Sequence, residues 1–550
     1  MAKMRWIKEL NRSFKGRTTT SAVALKKYSH DASMFELKPQ AIVFPKSEHD
    51  VEKLVDFVRH NKAGLPFLSL TARSGGTDMG GGAINDSIIV DFNKHFTHLG
   101  KVRGEHIATQ PGVFYRKFEK RTLASGMLMP SYPASREICT VGGMVANNSG
   151  GEKTLRYGKT IDYVHRLRVV LADGQVHTLE PLNKEELGEK LKRNDFEGEI
   201  YKKTYNLIEK NYDKIKAAKP HVSKNSTAYN IWDVWDKQTF DLTKLFVGSQ
   251  GTLGFVTEAD FKLVPAKPYT GMLIIYLKDL KPLGEFITTV LPTKPDSFEV
   301  FDDQSLILAI KFFFTFWKTL GIPKTISLAF QFIPDLFMLR RGIPKLVALA
   351  EFEGDSEEQV RDQVAALQQK LKDSDMDLLT ERAETAKKAY RYWLIRRESF
   401  NLLRHNVKDK HTAPFIDDLV VPPAKLPEFL PKLQVILDAA DIIYTIAGHV
   451  GDGNFHIIPL MDLADPRERA KIPELMKKVN KLVLSYKGSL SGEHNDGLVR
   501  GPFLEEMYGP EMMKIFREVK KIFDPEDIFN PHKKVDAKWD YSMSHIRNSF

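Results

Sequence analysis

Two short segments of this 550-residue chain place metal-ligating and proton-accepting side chains at telling intervals. Residues 448–458 read GHVGDGNFHII. Gly-Asp-Gly is a tight-turn sequence. If it closes a hairpin, His449 and His456 sit across from one another on paired strands, with both imidazoles on one face and within reach of one ion. A later segment, SLSGEHNDGLVRGPF at 489–503, supplies Glu493 and His494. Two imidazoles and a carboxylate leave coordination positions open for a substrate, as a catalytic metal requires. Far upstream, residues 72–83 read ARSGGTDMGGGA, with five glycines in a short span after an apolar run. Glycine reaches positive φ and lets a backbone approach a ligand closely. Successive exposed N–H groups then form a concave site for a pyrophosphate.

The elements that must position these groups follow from periodicity. AIVFP, PFLSL and SIIVDF read as strands, and HRLRVVLADGQVHTL as two strands around an Asp-Gly turn. VEKLVDFVRHN has helical spacing, with Val51, Leu54, Val55 and Val58 on one face. No strand–GxGxxG–helix unit occurs, so a Rossmann site is not expected. Near residue 267 the texture changes. MLIIYL, KLVALAEFEG and IIYTIAGHVGDGNFHIIPL read as strands of a second sheet, with charged helices such as SEEQVRDQVAALQQKLKD between them. The expected class is α+β: an N-terminal helical extension over 1–35, a cofactor domain over 36–266, a substrate and metal domain with an antiparallel sheet over 267–535, and a tail over 536–550. A C-terminal helical segment is expected to return to the cofactor.

Composition narrows the chemistry. With 42% hydrophobic and 28% charged residues the chain is of ordinary globular type. Cys139 is its single cysteine, so it can form no internal disulfide and cannot hold an iron–sulfur cluster, which takes four thiolates. The net charge of +10 comes from lysines and arginines scattered among acids, which reads as a solvated basic surface, with no nucleic-acid signature. The basic N-terminus lacks the apolar run of a secretory signal. No stretch is long enough to span a bilayer. A cytoplasmic protein is expected. The Phe- and Leu-rich, lysine-studded, proline-broken segment 306–345 reads either as an insertion packed on the core or a partner subunit, or as an in-plane anchor on the inner face of the membrane.

The glycine loop does not stand alone. TQPG at 109–112, LMPSYPASREICTVGGMVANNSGG at 128–151, TLRYG at 154–158 and DLTKLFVGSQGTLGFVTE at 241–258 follow in order. Together they resemble the FAD-binding domain of the vanillyl-alcohol oxidase / p-cresol methylhydroxylase superfamily. The resemblance implies that Arg73, Ser74, Gly75, Gly76 and Thr77 cradle the diphosphate. Pro130, Ser135, Thr140, Gly142, Gly143, Asn147 and Gly150 would line the flavin ring and ribityl chain. Gly251, Thr252, Gly254 and Val256 would close over the adenine side or the ring edge. Covalent members carry histidine where this chain has Thr77, so FAD is expected to be non-covalent. Cys139, in the flavin segment, reads as a small buried thiol.

The C-terminal segments resemble the D-lactate, glycolate and D-2-hydroxyglutarate dehydrogenases, as does the ending KIFDPEDIFNPHK at 521–533. This resemblance implies a divalent metal (zinc, manganese or iron) on His449, His456 and Glu493, and His494 as base. It also places Asn454 at the substrate and Asn530 near the flavin. YWLIRRESFNLLRHNVKDKHTAPFIDDLVVPP at 392–423 adds Arg396, whose counterpart pairs with the substrate carboxylate. A planar guanidinium gives a bidentate fit that lysine cannot. The implied reaction is oxidation of a small D-2-hydroxy acid to the 2-oxo acid with two electrons passed to flavin N5. The acceptor beyond the flavin would be a quinone, a cytochrome, an electron-transfer flavoprotein or an iron–sulfur protein. HTAPFIDDLVVPP looks most like bacterial FAD/iron–sulfur fusion enzymes, although the chain ends without a cluster domain. Three alternatives stand beside this reading: a redox-neutral enzyme like alkylglycerone-phosphate synthase, an oxidase, and the flavin subunit of a complex with a separate iron–sulfur protein. A homodimer is a further expectation.

Overall fold

The computed structural model describes residues 2–303, 305, 307, 343–383, 385, 387–396 and 410–548. The N-terminal half builds two sheets. In the first, strands run in the order Arg17–Thr19, Ala41–Phe44, Ile88–Asp91, Leu70–Arg73. The last three are mutually parallel. A parallel strand is covered on both faces, and Ile88–Asp91 is accordingly buried throughout. Glu48–Asn61 is the expected amphipathic helix; Ser47 caps it by accepting from Asp50 N, and its buried Val51, Leu54, Val55 and Val58 face the sheet core. The second sheet is antiparallel, in the order His106–Thr109, Phe255–Lys262, Val164–Val170, Val176–Leu179. Gly174, at φ 75°, makes the turn read from the Asp-Gly pair.

The C-terminal half is built on an antiparallel sheet of eight strands among the described residues. Its middle runs Tyr269–Leu277, Leu346–Gly354, Ser297–Asp302, Ile443–His449, Asn454–Met461. The helices Glu357–Lys372, Leu426–Ala439 and Pro466–Ser485 pack their apolar stripes into the core on one face. On the other face Tyr392, Trp393 and Ile395 cover Ile274, Phe301, Leu349 and Ala447.

The chain then returns to its first half, as expected. Helix Leu504–Phe523 kinks at Gly509 (φ 75°) just before Pro510, where proline cannot accept a normal preceding turn. Beyond the kink Met513, Phe516, Val519 and Phe523 share a core with Tyr229 and Phe246. The next residues extend the first sheet: Leu70 N donates to Ile528 O, and Asn530 N donates to Leu70 O. Most of 306–345, with the insertion or anchor read there, lies outside the described residues. Among those described, no helix is long and apolar enough to cross a membrane.

Candidate active site

A single cavity takes walls from both halves. The N-terminal half contributes the loop 73–79, Ser135, Cys139, Thr140, Gly142, Gly143, Asn147, Gly251, Gly254 and Val256. The C-terminal half contributes Arg396, His456, Ile458, Glu493 and His494. The glycine cradle thus faces the ligating cluster, although some 400 residues separate them in the chain.

The cradle is tight where glycine stands. A Cβ on Gly142 would lie 2.4 Å from Pro111 Cβ and 2.9 Å from its carbonyl oxygen. Gly76 adopts φ 69°, with the Arg73 guanidinium 2.5 Å from where its Cβ would be. Thr140 and Ser74 hydroxyls are joined at 2.5 Å, tying the flavin segment to the glycine loop. Cys139 is buried, and desolvation pushes its thiol up to about 12. It is the inert packing residue expected from its position.

Four expected cofactor residues do not line the cavity. Asn530 acts as a staple: its Nδ2 donates to Gly82 O and Gln250 O at 2.8 and 2.7 Å, holding the glycine loop to the 249–251 turn. Thr252 meets the Tyr229 hydroxyl at 2.7 Å behind the wall. Pro130 is buried in the segment leading into it. Gly150 lies against the imidazole–carboxylate cluster instead; a Cβ there would meet Glu493 Oε2 at 3.3 Å.

At the hairpin the register pairs His449 with Asn454 and Ala447 with His456. The two histidines are therefore diagonal neighbours rather than directly opposite, because the turn is a short 3-10 segment, Val450–Asp452, closed by Gly453 at φ 67°. A Cβ on Gly453 would lie 1.8 Å from Val421 O, so only glycine fits. The strand pleat still puts both imidazoles on one face, with ring centroids 5.3 Å apart. His449 Nε2 and His456 Nε2 lie 3.0 and 3.1 Å from the same oxygen, Glu493 Oε1.

The outer nitrogens are held as well. His449 Nδ1 meets Glu299 Oε1 at 2.5 Å, and His456 Nδ1 meets Asp417 Oδ1 at 3.1 Å. With a cation between the three inner atoms, each Nδ1 would carry its hydrogen toward its outer carboxylate and each Nε2 would present a lone pair. Three electron-rich atoms then converge, and only a cation or extra protons can sit among them. Glu493 Oε2 is buried with no hydrogen-bond partner, which leaves it open to the same cation. Without a metal, the balance shifts to protons. Burial opposes a charged His456, but Asp417 and Glu493 outweigh it and raise the imidazole to about 10. Burial likewise opposes an ionised Glu493, yet Lys224 and the two histidines hold it well below the usual carboxylate range.

A second grouping of ligand atoms, Asp418, His456, Glu493 and His494, lies within 4.8 Å. Asp418 is already committed: its Oδ2 accepts from Ser491 Oγ, Glu493 N and His494 N at 2.6 to 2.9 Å. It shapes the loop that carries Glu493. Asn454, expected at the substrate, does similar work; its Nδ2 donates to Asp418 Oδ1 and Leu419 O, and it does not line the cavity. His449 stands behind Glu493. His494 does line the cavity, with Nδ1 2.8 Å from Asp417 Oδ2 and its ring stacked on His456 at 5.0 Å. Asp417 and Asp418 outweigh burial and raise its pKa above the ordinary value. Arg396 reaches Glu299 Oε2 through Nε and Nη2, both at 3.1 Å.

Several residues central to this arrangement carry no spacing signal. Glu299 and Asp417 hold the imidazoles. Lys224 is fully buried, with Nζ 3.3 Å from Asp452 Oδ2 and 4.0 Å from Glu493 Oε1. Burial pushes Lys159 down to about 7, and its Nζ donates to Gly492 O. Gln250 lines the cavity at φ 52° and accepts from Gly497 N. The one available hint was an acid or lysine inside an otherwise apolar or small-residue run, as in SFEVFD and HVSKNSTAY.

A glycine cradle opposite an imidazole–carboxylate cluster, carried by two differently built halves, is the arrangement of an FAD-binding flavoprotein. Two parts of the chain match domains of FAD-linked oxidases. Residues 39–180 match the FAD binding domain, and residues 324–534 match the FAD linked oxidases, C-terminal domain. Among curated relatives, D-2-hydroxyglutarate dehydrogenase of Pseudomonas putida is 27% identical over 530 residues, 95% of this chain and 51% of that protein. D-lactate dehydrogenase of Archaeoglobus fulgidus is 27% identical over 97% of this chain and 99% of its own length. Glycolate oxidase subunit GlcD of Bacillus subtilis is 25% identical over 92% and 91%. The chain therefore spans about half the length of some relatives and nearly all of others. Among solved structures, 4-ethylphenol oxidase from Gulosibacter chungangensis superposes with a TM-score of 0.69 at 16% identity, covering 98% of each chain. An alkyldihydroxyacetonephosphate synthase superposes with 0.67 at 16% identity, covering 96% of this chain and 86% of that one. These two likenesses concern the fold.

Proposed function

We propose that the chain is an FAD-dependent dehydrogenase that oxidises a small D-2-hydroxy acid to its 2-oxo acid, with FAD bound non-covalently. The observation that carries this reading is the shared cavity: the glycine cradle forms one wall, and Arg396, His456, Glu493 and His494 form the other. The names of the relatives, which act on D-2-hydroxyglutarate, D-lactate and glycolate, support the substrate class.

Bound FAD would supply the two-electron acceptor, and a divalent cation on His449, His456 and Glu493 would supply a Lewis acid. The chain's own residues do the rest. Arg396 faces the substrate carboxylate with a planar, permanently charged fork. His494, which lines the cavity with Nδ1 2.8 Å from Asp417, takes the hydroxyl proton as the C2 hydride departs. A doubly charged neighbour opposes protonation of His494, which suits it to act as a base. Thr77 offers no imidazole for a covalent flavin link from this loop.

An anaerobic screen of 2-hydroxy acids, followed by bleaching of the flavin absorbance with and without chelator, tests the reading. Bleaching by a D-acid with release of the 2-oxo acid is expected; flavin that stays oxidised with every acid would overturn it. A second reading is favoured by the subunit name of the Bacillus relative: the chain hands its electrons to a partner protein. Purified chain that reduces an artificial dye with D-lactate or D-2-hydroxyglutarate would place the oxidation within the chain itself.

A further inference from the structure

Two carboxylates from distant parts of the chain each divide their oxygens in the same way. Glu299, on strand Ser297–Asp302, gives Oε1 to His449 Nδ1 and Oε2 to Arg396. Asp417, in the loop before Leu419–Val420, meets His456 Nδ1 through Oδ1 and sets Oδ2 2.8 Å from His494 Nδ1 as a charge-pair contact. In both cases one oxygen fixes an imidazole of the converging pair. The other lies within 3.1 Å of a charged or imidazole side chain that lines the substrate side of the cavity. Both acids are buried, at 1% and 0% exposure, so no solvent competes for these contacts.

We propose that Glu299 and Asp417 are paired positioning residues, each binding one imidazole of the metal pair and one substrate-handling group into a single unit. This rests on the assignment of His449, His456 and Glu493 as the cation site. A carboxylate accepts at both oxygens; an amide accepts at one and donates from the other. In Glu299→Gln the amide oxygen can serve Arg396 or His449, and the NH2 then faces the other partner. Facing Arg396, it sets donor against donor. Facing His449, it makes Nδ1 an acceptor and moves the hydrogen to Nε2, which can then no longer ligate. Asp417→Asn forces the same choice between His456 and His494. Each near-isosteric change therefore damages ligation or substrate handling, with the packing volume preserved. The two damage different steps, because Arg396 engages the substrate and His494 takes its proton.

The test uses the full-length, FAD-loaded protein. Zinc affinity is measured by chelator competition without substrate, and KM and kcat are measured separately. Loss of an outer partner to a ligating histidine typically weakens metal binding 10- to 100-fold. Each variant is expected to fall in that range on at least one axis. Where zinc binding is spared, Glu299→Gln raises KM more than it lowers kcat, and Asp417→Asn lowers kcat more than it raises KM. The oxidised flavin spectrum stays that of the wild type in both. Wild-type zinc affinity and unchanged kinetics in both variants would overturn the proposal and leave the cation site standing. Failure of the wild type to bind zinc would remove the cation site as well. Should the variants not accumulate, selective 15N-histidine NMR on the zinc-loaded wild type decides. Nδ1–H on His449, His456 and His494 is expected, and a protonated Nε2 on His449 or His456 refutes the arrangement.

Discussion

Lys159, from the nucleotide-binding half, donates a hydrogen bond of 2.5 Å to the carbonyl of Gly492, the residue before Glu493. The same ammonium reaches Asn225 O, and Ser226 N holds Ser491 O at 2.9 Å, so the first half of the chain grips the loop that carries Glu493 and His494. Lys159→Met removes the donor and leaves buried carbonyl groups short of a partner, at a cost of about 1–3 kcal/mol. The expected result is a lower melting temperature and slower flavin reduction with FAD content unchanged; absorbance and anaerobic stopped flow read both.

His494→Ala should leave the flavin bound and slow its reduction by about 10²-fold or more, the usual size of a general-base contribution. Anaerobic reduction at wild-type rate would remove His494 from this role. The position lines the cavity and is tied to the fold chiefly through Asp417 and the ring of His456.

Arg396→Lys keeps the charge and loses the fork. Lysine cannot meet a carboxylate in bidentate fashion. KM for the 2-hydroxy acid should rise by about 10- to 100-fold, corresponding to a loss of about 1.4–2.8 kcal/mol of binding. Steady-state kinetics with a dye acceptor measures it, and an unchanged KM would remove Arg396 from substrate binding.

Gly142→Ala addresses the cradle. The added methyl meets Pro111 at 2.4 Å, and a proline ring cannot swing aside. The start of helix Val141–Asn147 must shift, and with it Thr140 and Gly143 in the cavity wall. FAD content after gel filtration should fall, with the C-terminal half still folded by limited proteolysis.

His177 provides a test of pH dependence away from the active site. Burial opposes its charge, but Asp173 and Glu197 outweigh burial and raise it to about 9 from 6.5. A raised cationic pKa stabilises the fold in full below the unfolded value and loses that contribution as pH climbs through the folded one. The stability advantage of the wild type over His177→Gln should be largest at pH 6 and shrink steadily toward pH 10 in denaturant titrations.

The sequence was most legible where short-range rules act. Gly-Asp-Gly specified a turn and the strand pleat then placed His449 and His456 on one face, but the 3-10 form of the turn made them diagonal neighbours. The glycine loop and the segments after it announced the cradle in order. Motif position points Asn454, Asn530 and Thr252 toward a ligand, yet the structure uses their side chains to brace loops. Asparagine and threonine hydrogen-bond equally well to a ligand or to a nearby backbone, and motif position does not distinguish the two uses.

The sequence by itself determined which local elements form, where glycine is obligatory, and which side chains are chemically able to ligate, clamp or accept a proton. Only the tertiary structure decided that His449 is held by an acid 150 residues away, that Asp417 serves two imidazoles, and that Lys159 and Lys224 reach from one half into the other. The reason is range. Turn type, pleat and helical stripe depend on a few neighbouring residues, whereas a buried charge finds its partner through the packing of strands and loops that the chain brings together only when it folds.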